Sequence, residues 1–265
     1  MILNSPLLSI ITPCWNSEDT ISDTLVSIAD VARMLSSQAR TIEVIFVDGR
    51  STDNTLGKLR NFCNLNNYSR IIFCSKVGPY PAMNKGIKEA KGAYIHILNS
   101  DDCIWDPVHY VEEIYSINKL NCDVLLSPIL YFKRPSYRIY TTWFIDTIND
   151  LPSWKSLLKK GLHYPHPGFI AKTVLYQKFL FDESYKLSAD YKLMHQILIR
   201  MSDISKLYVS KHILVGMAHG GLTSHWKNIL RGISEIRAIN CELNINTSIF
   251  FRYARKFIGR LLIRK

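Results

Sequence analysis

The sequence predicts an α/β fold in which a mostly parallel central sheet is flanked by helices on both faces. Two observations predict it. Short apolar, β-branched runs alternate with stretches of helical periodicity through the first half of the chain, and polar clusters fall where the runs end. A length of 265 residues, with 47% hydrophobic and 21% charged, suits one substantial domain with a small appendage and excludes a disordered or collagen-like chain.

The first strand is Leu7 to Thr12, ended by Pro13, and the stripe Ile21, Leu25, Ile28, Ala32 and Leu35 marks a following helix. Ser17, with Glu18 and Asp19 after it, is placed to cap that helix. Ile42 to Val47 reads as a second strand, followed by the polar turn Asp48 to Asp53 and a helix through Leu56, Leu59 and Phe62. A third strand is expected at Ile71 to Cys74. Next come a helix through Met83 and Ile87, Gly92 as its C-cap, and a strand at Tyr94 to Leu98. The second half is less regular, with a β-like stretch Val124 to Leu130, a basic and aromatic segment from Tyr131 to Tyr140, and a loop from His163 to Gly168.

In open parallel sheets ligands bind beyond the carboxyl ends of the strands, here marked by Thr12-Pro13-Cys14, Asp48 and Asn99-Ser100-Asp101-Asp102. Asp101 and Asp102 suit a hard divalent cation shared with a diphosphate, and equally suit a solvated turn. The formal charge of +11 attracts anions, whether nucleic acid, lipid headgroups or a phosphorylated small substrate. Six cysteines without a C-x-x-C pair point to a reducing compartment, and His163 and His166 lack the further ligands a zinc site needs. The N-terminus shows no leader pattern, and no run of about 18 apolar residues predicts a spanning helix.

Four motifs occur in order: Ser9-Ile10-Ile11-Thr12-Pro13, Val47-Asp48-Gly49-x-Ser51-Thr52-Asp53-x-Thr55, Ala82-Met83-Asn84-Lys85-Gly86 and Leu98-Asn99-Ser100-Asp101-Asp102. Together they resemble the family 2 glycosyltransferases, and most of all bacterial enzymes that build surface polysaccharides. The resemblance implies the Rossmann-like GT-A fold, with a GT-A domain over 1–245 divided into a nucleotide-sugar half (1–105) and an acceptor half (106–245). It implies that Thr12, Pro13, Asp48 and Asp101 line the nucleoside pocket, that Lys85 contacts phosphate, and that Asp102 ligates Mn2+ or Mg2+. Many relatives have an aspartate where this chain has Asn99, which bears on the strength of metal binding.

The second half resembles the family more weakly, at His166-Pro167-Gly168-Phe169, at Phe181-Asp182-Glu183-x-Tyr185 and at Ser188-Ala189-Asp190-Tyr191. By that resemblance Asp190 is the base of an inverting transfer, with Asp182 or Glu183 in reserve, and an N-cap as its structural alternative. His219, in Ala218-His219-Gly220-Gly221, is a candidate diphosphate contact, and His166 a candidate acceptor contact or a structural histidine. Residues 246–265 are expected to form a basic amphipathic helix, with Arg252, Arg255, Lys256, Arg260, Arg264 and Lys265 beside an apolar stripe, suited to an anionic membrane surface or to packing on the domain.

The implied activity is metal-dependent, inverting transfer of a hexosyl or N-acetylhexosaminyl group from a nucleotide-diphosphate sugar, UDP favoured, to a lipid-linked saccharide on the cytoplasmic membrane face. A non-catalytic sugar-nucleotide-binding protein of the same fold is the alternative. A nucleotidyltransferase would need a basic glycine-rich loop where Thr12-Pro13-Cys14-Trp15 stands, and no nucleic-acid-binding motif accompanies the charge.

Overall fold

The structure, a computed structural model, describes residues 5–37, 41–75, 78–145, 148, 150–218 and 226–246. The chain runs β1 (Leu8–Cys14), α1 (Ile21–Ser37), β2 (Ile42–Asp48), α2 (Thr55–Leu65), β3 (Ser69–Phe73), α3 (Pro79–Glu89), β4 (Tyr94–Ile97), β5 (Cys103–Ile104) and α4 (Pro107–Lys119). It continues through β6 (Val124–Leu126), β7 (Ile129–Lys133), β8 (Arg138–Trp143), α5 (Leu151–Lys159), β9 (Phe169–Lys172), α6 (Thr173–Phe179), α7 (Ala189–Arg200), β10 (Leu207–Val209), β11 (Val215–Ala218) and α8 (Trp226–Leu243).

Seven strands form the central sheet in the order β10-β6-β9-β4-β1-β2-β3. Among the described residues β9 alone runs against the others, pairing antiparallel with both β4 and β6. The sheet therefore draws strands from both halves of the chain. A smaller sheet, β5-β11-β7-β8, stands beside it.

Period-two alternation sends the side chains of each central strand to opposite faces. Leu8 and Ile10 of β1, with Ile42, Val44 and Phe46 of β2, pack with α1, α2 and α4. Ile11, Ile45 and Val47 face α3, α6 and α7 in the other core. These strands are buried on both faces, as a sheet covered by two helical layers requires.

Five local expectations need correction. β1 continues through Pro13 to Cys14. The Ile11 carbonyl accepts from Leu98 N and the Cys14 carbonyl from Gly49 N, so the Pro13 nitrogen faces the β4 side beyond that strand's end, where no donor is needed. α1 begins at Ile21 rather than just after Ser17, whose carbonyl accepts from the Thr20 and Ile21 amides in a preceding turn. The third strand starts two residues early and ends at Phe73. The stretch Val124 to Leu130 is split, β6 joining the large sheet and β7 the small one, with Ser127-Pro128 between. Pro128 has no amide for a continuous ladder.

The fifth concerns Gly92. The C-cap of α3 is Ala90 in extended conformation, and Gly92 instead lies flat against β1. A Cβ there would come within 2.5 Å of Ser9 Oγ and 2.6 Å of Ser9 N. Gly92→Ala is expected to lower stability by about 1–3 kcal/mol, since backbone must shift to admit the methyl group. Urea denaturation measures this, and an unchanged midpoint would contradict the close approach.

Candidate active site

The carboxyl ends of β1, β2 and β4 meet at one edge of the sheet, and the loops after them are laced together. Asn16 N donates to Ser51 Oγ (3.0 Å) and Asn16 Oδ1 accepts from Thr52 N (2.9 Å). Glu18 N donates to Asp53 Oδ2 (3.0 Å) and Glu18 Oε2 accepts from Asn54 N (3.0 Å). Ser17 N donates to Thr55 Oγ1 (2.7 Å), and Ser17 Oγ lies 2.7 Å from Ser100 Oγ. Ser51, Asp53 and Thr55 thus serve the turn itself, fixing one loop against the next. Trp15 projects from this edge with 67% of its surface exposed. Beyond β2 and β3 a cavity of about 320 Å³ is lined by Arg50, Ser51, Leu56, Arg60 and Phe73.

Asp48 is fully buried, and its two oxygens accept from Ser51 N (2.9 Å) and Ser51 Oγ (2.7 Å). Lys85 is exposed on α3, with its ammonium on the Phe73 carbonyl. Thr12 Oγ1 is buried with no hydrogen-bond partner.

Asp102 sits at the mouth of β4 without exposed surface. Its Oδ2 accepts from Asn99 Nδ2 (3.0 Å) and its Oδ1 from Ala218 N (3.2 Å), so the end of β11 is tied to it. Asn99 acts here as a donor to the carboxylate, a bond that an ionised aspartate could not make. Burial raises the pKa of Asp102 well above the carboxylate range, and the Asp101 charge adds to the shift; burial also raises Asp101. Arg134 donates to the Asp101 carbonyl (2.9 Å) and pairs with Asp23 (2.8 Å), leaving its Nη2 buried without a partner. Burial opposes ionisation of both carboxyls, and the Asp101 charge further opposes that of Asp102, a donor set whose charge a hard divalent cation would offset. No group of three or more His, Cys, Asp or Glu gathers among the described residues. A cation held here would complete its shell with phosphate oxygens and water.

A second cluster forms where the start of α3 meets α7. Tyr80 donates to Asp190 Oδ1 (3.1 Å), in the first turn of α7. Burial, then the Asp190 charge, pushes the Tyr80 phenol well above its ordinary value, so it remains a donor. Tyr80 stacks on Phe181 (5.3 Å between centroids), and His166 meets the same ring edge-on at 5.6 Å. His166 is 8% exposed, with Nε2 unpartnered; burial lowers its pKa while the nearby Asp190 charge opposes this. Its loop is fixed by His96 of β4, whose Nε2 lies 2.9 Å from the Pro167 carbonyl. That carbonyl can only accept, so Nε2 carries the proton and Nδ1 accepts from Tyr110 (2.8 Å). Buried Asn84 of α3 braces this cluster by exchanging hydrogen bonds with the Phe181 backbone, both at 2.8 Å.

The model of the family described as glycosyl transferase family 2 matches residues 9–184. The chain belongs to that family. An uncharacterised glycosyltransferase of Rickettsia typhi is 30% identical over 225 residues, which is 80% of this chain and 63% of the relative. The Escherichia coli UDP-Glc:alpha-D-GlcNAc-diphosphoundecaprenol beta-1,3-glucosyltransferase WfaP is 35% identical over 117 residues, covering 40% of this chain and 41% of WfaP. The chain thus spans less than two thirds of each relative's length. The crystal structure of S. aureus TarS 1-349 in complex with UDP-GlcNAc shares the fold with a TM-score of 0.67, at 22% identity, over 91% of this chain and 68% of that one.

The residues that the sequence of this family 2 transferase nominates fall into two groups. Asp101 and Asp102 lie together, as do Asp190 and His166. Asp48 is bonded to Ser51 and Lys85 to the Phe73 carbonyl, as Asp102 is to Asn99 and Ala218. α7 starts from Ser188 as N-cap, so Asp190 is not the cap. His219 and residues 247–265 lie outside the described residues. Sequence reasoning passed over Trp15, Tyr80 and Arg134. An aromatic in a polar turn at a strand end was a usable signal for Trp15; nothing local marks Tyr80 or Arg134, whose carboxylate partners Asp190 and Asp23 are 110 and 111 residues away.

Proposed function

We propose that this transferase performs an inverting, metal-dependent transfer of a hexosyl or N-acetylhexosaminyl group from a nucleotide-diphosphate sugar to a hydroxyl of a lipid-linked saccharide. The observation that carries this reading is the paired site: buried Asp102 with half-buried Asp101 beside it at the sheet edge, and a half-buried Asp190 held by Tyr80 from the first turn of α3. Asp102, with Asp101 beside it, would hold Mn2+ or Mg2+, which when bound supplies positive charge to the departing diphosphate. Asp190 takes the acceptor proton as the hydroxyl oxygen attacks the anomeric carbon from the face opposite the leaving group. One C–O bond forms as the bond to the diphosphate breaks, and the configuration inverts. Asp48 shapes the nucleoside pocket by holding its loop, and exposed Trp15 offers a flat surface for the base. Lys85 and His219 stand as further phosphate contacts, and Thr12, Pro13 and Asp101 as nucleoside contacts.

A uridine donor and a lipid-linked acceptor in surface-polysaccharide synthesis are supported by the resemblance to WfaP. No described helix is long and apolar enough to cross a membrane. The basic stretch from Arg252 to Lys265 is our candidate for contact with an anionic membrane surface on the cytoplasmic face, on the ground of its charge.

Calorimetric titration with a panel of nucleoside diphosphates and sugar nucleotides, with and without Mn2+, tests the reading. One nucleotide is expected to bind, tightly only with metal; no binding to any of them would sink it. Trp15→Ala is expected to weaken that binding about tenfold, the scale of one lost base-stacking contact. An unchanged affinity would take Trp15 out of the pocket.

A further inference from the structure

α7, which carries Asp190 in its first turn, begins without a cap of its own: Ser188 is the N-cap, and its side chain makes no capping hydrogen bond. The amides just ahead are held from another helix. Glu235 of α8 is buried, and its carboxylate spans two successive backbone donors, Lys186 N to Oε1 and Leu187 N to Oε2, both at 2.9 Å. A carboxylate accepting two backbone amides makes strong, directional bonds, and here they fix the path of the chain as it enters the helix. The exposed Arg231 guanidinium lies 3.3 Å from Oε1. Other contacts from α8 brace the same segment: Asn240 accepts from the Tyr191 hydroxyl (2.9 Å), and Glu242 meets both Tyr185 and Lys192. Tyr191 and Lys192 lie just beyond Asp190 in the chain and Tyr185 five residues before it, and each is held by its side chain, whereas Glu235 grips the backbone itself three and four residues before Asp190.

We propose that Glu235 is a positioning residue for Asp190, its two-pronged hold on the Lys186–Leu187 backbone setting where the base carboxylate stands relative to Tyr80. The proposal rests on the assignment of Asp190 as the base. Glu235 touches neither donor nor acceptor in this scheme. It trades a flexible loop entry for a fixed one, which matters because a general base works only within hydrogen-bond reach of the proton it takes.

Glu235→Gln tests it, because the amide keeps the shape but offers one acceptor oxygen for two amides and turns an N–H toward the other. The expected result is a kcat lowered about tenfold, with donor affinity by calorimetry unchanged. In an Asp190→Asn background the same substitution is expected to change the residual rate less than about twofold, since there is no base left to position. A merely structural role would cost donor affinity and would multiply with the Asp190→Asn loss; either result overturns the proposal. So does a wild-type kcat in Glu235→Gln while Asp190→Asn is inactive, and that outcome leaves the base assignment standing. An active Asp190→Asn would instead overturn both. Should Glu235→Gln fail to fold, Arg231→Ala carries the test from the exposed side, with an expected kcat loss of about threefold that vanishes in the Asp190→Asn background.

Discussion

Asp190→Asn is expected to lower the transfer rate by about a hundredfold to ten-thousandfold while leaving nucleotide binding intact, the range that removal of a positioned general base produces. The amide oxygen can still accept from Tyr80, so the first turn of α7 and the stacked Tyr80–Phe181 pair should stay in place. What the variant loses is a group able to take a proton. The reserve candidates are less suited. For Asp182, burial acts to raise the pKa, yet hydrogen bonds from Lys192 (2.7 Å) and Ser184 outweigh it and hold the carboxyl below its ordinary value. Glu183 accepts from buried Asn84 at 3.1 Å. Steady-state kinetics on Asp190→Asn beside Asp182→Asn decide the matter: a larger loss in the second would move the base to Asp182.

Asp102→Asn is expected to abolish metal-dependent donor binding, a loss of more than about a hundredfold in affinity, because a charge contributing several kcal/mol to the cation and diphosphate is gone. The fold should survive. An asparagine Oδ1 can still accept from Ala218 N, and the facing Asn99 amide need only flip to present its oxygen to the new Nδ2. The substitution also removes a charge that burial opposes. Thermal melting with and without Mn2+ provides the readout. The wild-type protein should gain stability with metal and nucleotide together, and the variant should gain none. An equal metal response in both would remove Asp102 from the cation site.

Periodicity made β1, β2 and their helices legible, since strands buried on both faces are continuous apolar runs and their helices carry a single stripe. The acidic pair at the mouth of β4 was legible for the same reason: an apolar strand that ends in two aspartates puts them at the sheet edge. The small sheet was not, because β5 has two residues and β11 four, too short for a periodic signal, and their pairing is set by tertiary contact. Gly92 misled because a glycine after a helix usually marks its end, whereas here the missing side chain serves the approach to β1. Asn84 and Gly86 gave a motif without revealing its purpose. In the structure Asn84 ties α3 to Phe181, and Gly86 lets α3 settle on Ile11, whose Cγ2 would lie 2.4 Å from an added Cβ.

The position of β9 bears on how the protein is made. Synthesis proceeds from the N-terminus, and β4 leaves the ribosome with β1 ready on one side and nothing on the other. The strand that closes that side, β9, comes only after the small-sheet strands β7 and β8 and helix α5. Until Phe169–Lys172 emerges, the nascent chain carries an unpaired hydrogen-bonding edge along its buried centre, the kind of surface that recruits other extended chains. The segment from β1 to β4 is therefore a poor candidate for early independent folding, and the interval before β9 arrives is when a chaperone would matter most.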